Sequence, residues 1–301
     1  MKLVQASDDF GYCEGFNLGL KKVMPYGTIT HVNLMTDTPG NIDAFKFLRE
    51  HPEVSIGWHQ HFRGTPLVDP AKVPSLLDET GHFKFKDVWN KDTFNEEARR
   101  KKFEGVKYEE ALLELRAEIE LCAKYAGRVP DFCGSRGGNP VADATLQVCE
   151  EFGIANQREM MEKLGANMVH IHQPGDATYL VRISEDSYTR NCTYDPMAYL
   201  ENDPQGILQN ECSQIAWHAG FYDDYMFTDG SYFYEGNQKF FEPSPLVDCA
   251  MLCSQRLRNW IKKNKVELVS MTDAIYGTRN FQNHLRAIGS DLYIGNILAE
   301  G

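Results

Sequence analysis

Apolar runs of strand length alternate along this chain with amphipathic stretches of helical length, and the rhythm predicts repeated strand-then-helix units. Residues 2–6 read as a strand and 13–24 as a helix stopped near Pro25. Residues 28–35 alternate as a second strand, 42–50 follow as a helix, and 55–60 form a third strand. The clearest helix spans 108–125, with Ala111, Leu112, Leu115, Ile119 and Cys122 at helical spacing. Further on, 129–133 reads as a strand and 140–152 as a helix with Pro140 in its first turn. Residues 214–219 are a strand, 246–262 one strong helix and 266–269 a last strand. Two segments interrupt the rhythm as long loops, at about 63–106, rich in proline and turn residues, and at about 221–245, aromatic and acidic. Residues 155–212 carry no legible pattern.

Alternation of this kind makes a parallel sheet with crossover helices. Six or seven such units favour an α/β fold of the distorted (β/α) TIM-like barrel type, a single domain over residues 1–301. No Gly-x-Gly-x-x-Gly or Walker-type loop follows any strand, which weakens nucleotide-binding alternatives.

With 301 residues, 42% of them hydrophobic, the chain can bury a full core. Its formal net charge of −12 argues against nucleic acid or an anionic membrane as partner. No apolar run approaches the roughly 18–20 residues that cross a bilayer, and the N-terminus turns acidic too soon for a signal peptide. A cytoplasmic protein is therefore expected. The eight cysteines are irregularly spaced and form no Cys-x-x-Cys pair, so reduced buried thiols are expected rather than disulfides or a zinc cluster.

Barrel enzymes keep their chemistry at the C-terminal ends of the strands. Asp8, Asp9, His59, His61, Arg136 and His218 all fall at or just after predicted strand ends. Asp8 and Asp9 adjoin, and two carboxylates at close range need a cation to stay ionised. One could bind a divalent metal and the other act as a base; the plainer alternative is that one caps the helix near Cys13 and the other is solvated. His59-Gln60-His61 offers imidazoles that, with a carboxylate, suit zinc and similar ions, or one ligand and one polar side chain. His218 could serve as a general acid. His170 and His172 form a second His-x-His, read as structural or substrate-lining. Phe10 and Tyr222 are aromatic candidates for contact with a sugar. The aromatic loop around Tyr222, Tyr225, Phe227, Tyr232, Phe233 and Tyr234 would equally suit an oligomer interface, which leaves a homodimer open.

The run Ala6-Ser7-Asp8-Asp9-Phe10-Gly11, followed by Asn17-x-Gly19, resembles the opening motif of the YdjC-like (ChbG-type) carbohydrate deacetylases. So do 27–35, Ile56-Gly57-Trp58-His59, Gly64-Thr65-Pro66-Leu67, 73–83 and Trp217-His218-Ala219-Gly220-Phe221. The resemblance implies a distorted (β/α) barrel and a metal-assisted hydrolase that removes N-acetyl groups from amino sugars or their oligosaccharides. It also implies Asp8 as general base, Asp9 and His59 as ligands to a divalent metal (zinc or magnesium), and His218 as acid or transition-state stabiliser. One departure stands out. Where the family continues after its fourth strand with a ligand histidine, this chain has Arg136, and a guanidinium cannot ligate a cation. Three outcomes follow: His61 substitutes as third ligand; a metal-free site grips an anionic sugar through Arg136; or the chain is a catalytically silent carbohydrate-binding protein. Retention of both Asp8 and His218 favours the enzyme.

Overall fold

The computed structural model describes residues 1–85, 103–164, 168–171, 195–203, 206–229 and 244–299. Its strands are β1 (Lys2–Phe10), β2 (His31–Leu34), β3 (Ser55–Trp58), β4 (Phe132–Cys133), β5 (Ala155–Asn156), β6 (Met168–Ile171), β7 (Cys212–Trp217) and β8 (Glu267–Leu268). They lie in the order β5-β4-β3-β2-β1-β7-β6, all parallel. β8 pairs with Lys2 and Leu3 of β1, while β2 pairs with β1 from Ala6 onward. The parallel α/β expectation holds. The end strands β5 and β6 do not pair with each other among the described residues.

Alternation along each strand sends side chains to two different environments. One face is apolar: Leu3, Val32, Leu34, Ile56, Ile215 and Trp217 pack with Leu20, Val23, Phe45, Leu48 and Leu257 of the crossover helices. Each fully buried side chain of that size contributes about 1.5–3 kcal/mol. The opposite face is closed at its lower end by Val4, Phe132, Met271 and Ile275. Above them it turns polar: Ala6 of β1, His31 of β2 and Ser55 of β3 share one row, and Asn33 and Gly57 share the next.

β1 runs on to Phe10, through both aspartates. The helix expected over 246–262 is two helices, Ser244–Leu252 and Gln255–Lys263, because extended Ser254 accepts the Leu257 N–H and starts a second helix. The helices Met271–Tyr276, Asn280–Ala287 and Ile294–Ala299 complete the C-terminal part. The seven described cysteines are free thiols. Among the described residues no helix is long and apolar enough to cross a membrane.

Two contacts hold the site's loops in place. The helix Glu14–Val23 lies directly on the loop leaving β7, with Phe221 N–H donating to Gly15 O at 2.9 Å. A Cβ at Gly19 would stand 2.6 Å from Gly220 Cα, and one at Gly15 2.3 Å from Phe221 O. Only glycine permits that approach. The loop leaving β3 is pinned by acids underneath it. Asp37 Oδ2 accepts the N–H groups of Arg63 and Gly64, and Glu114 accepts those of Leu67 and Val68. Glu114 lies on the buried stripe of the helix Tyr108–Ala126, as does Glu118, whose carboxylate accepts from the Thr36 hydroxyl. The helical spacing read there missed both, because a glutamate scores as solvent-facing unless its partner is known.

Gly19→Ala should lower the denaturation midpoint by an amount equivalent to about 1–3 kcal/mol, the usual cost of overpacking against backbone; an unchanged midpoint would refute the close approach. A second expectation concerns pH. Burial pushes the Glu114 carboxyl up from 4.5 to about 7 against the pull of its two N–H donors, and burial also raises Asp37 and Glu118. A carboxyl raised on folding stabilises the native state below its unfolded value and loses that contribution as pH rises through its folded value. Stability in urea should therefore fall between about pH 4.5 and 7, and Glu114→Gln should flatten that fall.

Candidate metal centre and acid–base pair

The site begins with a break in β1. Strand alternation would send Asp8 and Asp9 to opposite faces. Instead, the register with β2 shifts between Ser7 and Phe10, and Asp9 adopts the left-handed conformation at φ 64°. Aspartate tolerates that region better than most residues. The twist turns both carboxylates to histidines: Asp9 Oδ1 lies 3.1 Å from His59 Nε2, and Asp8 Oδ2 lies 3.7 Å from His218 Nε2. The first turn of the following helix is capped from the loop after β7, Gly15 N–H donating to Asp223 Oδ2 at 2.7 Å. Asn17 locks the turn beyond. Its Oδ1 accepts Gly11 N–H at 2.9 Å, and its Nδ2 donates to Gly40 O and Asp43 Oδ2. Phe10 is fully buried against Phe47, rings at 6.0 Å and 86°, so it belongs to the core and meets no ligand.

β3 ends at Trp58, earlier than predicted, and His59 keeps one ladder bond, donating its N–H to Leu34 O at 2.9 Å. The chain then leaves the sheet, and Phe62 takes a left-handed φ of 52°. That departure folds His61 back on His59, with ring centroids 3.9 Å apart and planes perpendicular. Asp9, His59 and His61 consequently offer one ligand atom each, all within 4.8 Å of one another. Burial pushes the Asp9 carboxyl up, but the His59 hydrogen bond and the charges of His59, His218 and Arg63 outweigh it and hold it well below the usual carboxylate range. Burial, with the charges of His59 and Arg63, holds His61 well below the usual imidazole range. An ionised carboxylate and a neutral imidazole are the states in which these groups ligate a metal, and one oxygen with two imidazoles fits a borderline divalent ion.

His218 follows β7 directly. Its N–H donates to Asp248 Oδ2 at 3.0 Å, and the next N–H, of Ala219, donates to Ser7 Oγ at 3.2 Å. Sequence reading did not find Asn33, whose Nδ2 donates to Asp8 Oδ1 at 2.6 Å. The signal was present: a polar residue on the alternating stretch 28–35, in phase with His31. Arg136 needs correction. It stands exposed on the loop between β4 and the helix Pro140–Phe152, and the guanidinium whose charge acts on Asp9 is that of Arg63. Arg63 also lines a cavity of about 500 Å³ with Thr38, Asn41, Thr65, His82 and Tyr225. Tyr222 is half-buried beside the cluster of Tyr12, Phe16 and Met226. His170 sits in β6 in register with Gln214. His172, Tyr232, Phe233 and Tyr234 lie outside the described residues, as do 86–102 and 230–243 of the two predicted loops.

Residues 2–263 match the family model of the YdjC-like protein. A carbohydrate deacetylase 2 of Listeria innocua serovar 6a is 24% identical over 280 residues, covering 91% of this chain and 98% of that protein. Carbohydrate deacetylases of Geobacillus stearothermophilus and Brevibacillus brevis are each 38% identical, over 78 and 85 residues. Those segments amount to 26% and 28% of this chain but only 31% and 34% of the two relatives, so these matches span about a third of each relative's length. A solved structure from Enterococcus faecalis V583, described as a cellobiose-phosphate cleavage protein, aligns with a TM-score of 0.58. It is 21% identical, covers 90% of this chain and 98% of that one, and supports the fold alone. With the family model spanning all of the strand tips that carry Asp8, Asp9, His59 and His218, the chain belongs to the YdjC-like protein family.

Proposed function

We propose that this protein is a carbohydrate deacetylase that hydrolyses the N-acetyl group of an acetylated amino sugar or oligosaccharide. The observation that carries the reading is the pairing, at neighbouring strand tips, of a three-donor set (Asp9, His59, His61) with an acid–base pair (Asp8, His218). The full-length similarity to a protein named as a carbohydrate deacetylase supports the reaction class. A divalent ion bound there supplies Lewis acidity toward the acetamide carbonyl and makes water easier to deprotonate. The two imidazoles favour zinc over magnesium.

The remaining chemistry belongs to the protein. Asp8 takes a proton from the attacking water as its oxygen bonds to the acetyl carbon. The C–N bond then breaks and His218 delivers a proton to the departing amine nitrogen; the acid product gives its proton to the amine, so that water and amide become acetate and an ammonium group, and the proton on Asp8 passes back to His218. His218 is suited to this because its ring faces Asp8 while its backbone is tied to Asp248. Asp9 stays with the cations, beside His59. The cavity lined by Arg63, Asn41 and Tyr225 is the candidate seat for the sugar, offering polar side chains and an aromatic ring.

Purified protein should contain one divalent ion per chain by elemental analysis, lost in Asp9→Ala and His59→Ala and weakened in His61→Ala; metal-free protein at full folding would instead support the silent binder. Acetate release from N,N′-diacetylchitobiose should vanish in Asp8→Asn and fall about 10²- to 10⁴-fold in His218→Asn, the range expected for loss of a general acid or base. Release undiminished by Asp8→Asn would remove that residue from the chemistry.

A further inference from the structure

We propose that Asn33 is a positioning residue that fixes the Asp8 carboxylate for proton transfer, and that His31 and Ser55 in turn fix Asn33. The inference rests on the deacetylase reading for its chemical meaning but on geometry for its existence. Asn33 Nδ2 donates to Asp8 Oδ1 at 2.6 Å. An ionised carboxylate only accepts, so the amide nitrogen must face it, and the amide oxygen is left pointing away. That oxygen is 3.1 Å from His31 Nε2, which must then carry a proton. In the neutral ring His31 Nδ1 is an acceptor, and it lies 2.8 Å from Ser55 Oγ. Ser55 Oγ accepts the Met271 N–H at 2.9 Å, and its hydroxyl proton has two acceptors in reach, the ring nitrogen at 2.8 Å and Thr30 O at a longer 3.4 Å, of which the shorter contact takes it. With the hydroxyl proton directed at the ring, each contact of the row sets a donor against an acceptor, and the row ends on Asp8 Oδ1 while Oδ2 faces His218.

The register explains how the row fits. Ala6, His31 and Ser55 are neighbours across three strands, and Asn33 and Gly57 are neighbours one row nearer the strand tips. A Cβ at Gly57 would lie 2.0 Å from Asn33 Oδ1 and 2.9 Å from His31 Nε2. The glycine that precedes Trp58 and His59 therefore vacates the space in which the amide and the imidazole meet. Burying His31 and Ser55, at 0% and 2% exposure, would be costly if either lacked a partner. Val32 and Ile56 beside them are apolar, whereas His31 and Ser55 bring polar atoms into the buried row, Ser55 also taking the Met271 N–H. They support an amide whose role at the surface of the site is to hold one carboxylate oxygen and leave the other for His218.

The test uses the full chain, zinc-loaded, acting on N,N′-diacetylchitobiose. Asn33→Leu should lower kcat about ten- to hundredfold, the effect of one hydrogen bond to a charged group, with KM changed by less than about twofold and zinc content unaltered. In an Asp8→Asn background the same substitution should cost nothing more. His31→Gln, which can still offer an N–H to Asn33, should recover most of the rate that His31→Leu loses. A raised KM at constant kcat, or losses that add to those of Asp8→Asn, would overturn the proposal. A readout without substrate separates it from the functional reading. In ¹⁵N-labelled protein, His31 should appear as a neutral ring protonated at Nε2 with a slowly exchanging ring proton, and Asn33→Leu should speed that exchange. If the signal is absent, the row is wrong whatever the activity. If it is present in a protein that releases no acetate, the row stands as geometry, its assignment to catalysis falls, and the deacetylase reading falls with it.

Discussion

The left-handed turn at Asp9 is the constraint on which the site depends. A regular strand would place one of the adjacent carboxylates among the apolar side chains that pack against the helices, where an unpaired charge is prohibitively costly. The register shift between Ser7 and Phe10 removes that conflict and turns Phe10, in place of a carboxylate, into the core against Phe47. Left-handed backbone at a non-glycine residue costs roughly 1–3 kcal/mol, and the surroundings hold it. Asn17 takes the Gly11 N–H, Thr38 donates to Gly11 O, and Met35 N–H donates to Phe10 O. The asparagine and the glycine that follow the aspartates in sequence thus have distinct mechanical tasks. Asn17 fixes the turn, and Gly19 lets the helix lie on the loop that carries His218.

Much of the frame was legible in the sequence because it rests on periodicity. The early strands, the helix Tyr108–Ala126 and the helix Pro140–Phe152 follow from alternation and helical spacing, and the candidate site residues came from asking what stands at strand ends. What escaped was set by partners distant in sequence. Glu114 and Glu118 are buried because backbone N–H groups of the 63–68 loop and the Thr36 hydroxyl meet them, and nothing local announces that. Arg136 occupied the position of a missing ligand in sequence, yet the guanidinium acting on Asp9 comes from Arg63, on the loop after β3. Phe10 looked like a sugar platform for its closeness to the aspartates, but a residue next to a left-handed turn cannot be assigned a face by counting.

The loop from His59 to Gly64 joins these features. It leaves β3 abruptly, folds His61 against His59, passes through left-handed Phe62, and is then seized by Asp37, which takes two successive N–H groups. Phe62 is buried and stacked on Phe83 and Phe85 at 4.7 and 5.6 Å. Imidazoles that are to share an ion need fixed positions, since a misplacement of an ångström weakens a ligand set. The buried Phe62 ring and the Asp37 carboxylate that takes the next two N–H groups supply that fixity.

The two aspartates, though adjacent, are solvated by different groups, and this difference assigns their proposed roles more firmly than their order in the motif. Asp9 is surrounded by cationic or cation-binding neighbours: His59 by hydrogen bond, and Arg63 and His218 by charge. Those are the surroundings of a carboxylate meant to remain ionised throughout a reaction, as a ligand must. Asp8 is held by a neutral amide on one oxygen and faces an imidazole with the other, across 3.7 Å. The amide orients the Asp8 carboxylate through one oxygen and leaves the other directed at His218. Pairs of acids that serve as base and as fixed charge are commonly separated by environment in this way. Here the separation is built by a single twist of β1, which delivers one carboxylate to the β3 loop and the other to the gap between Asn33 and His218.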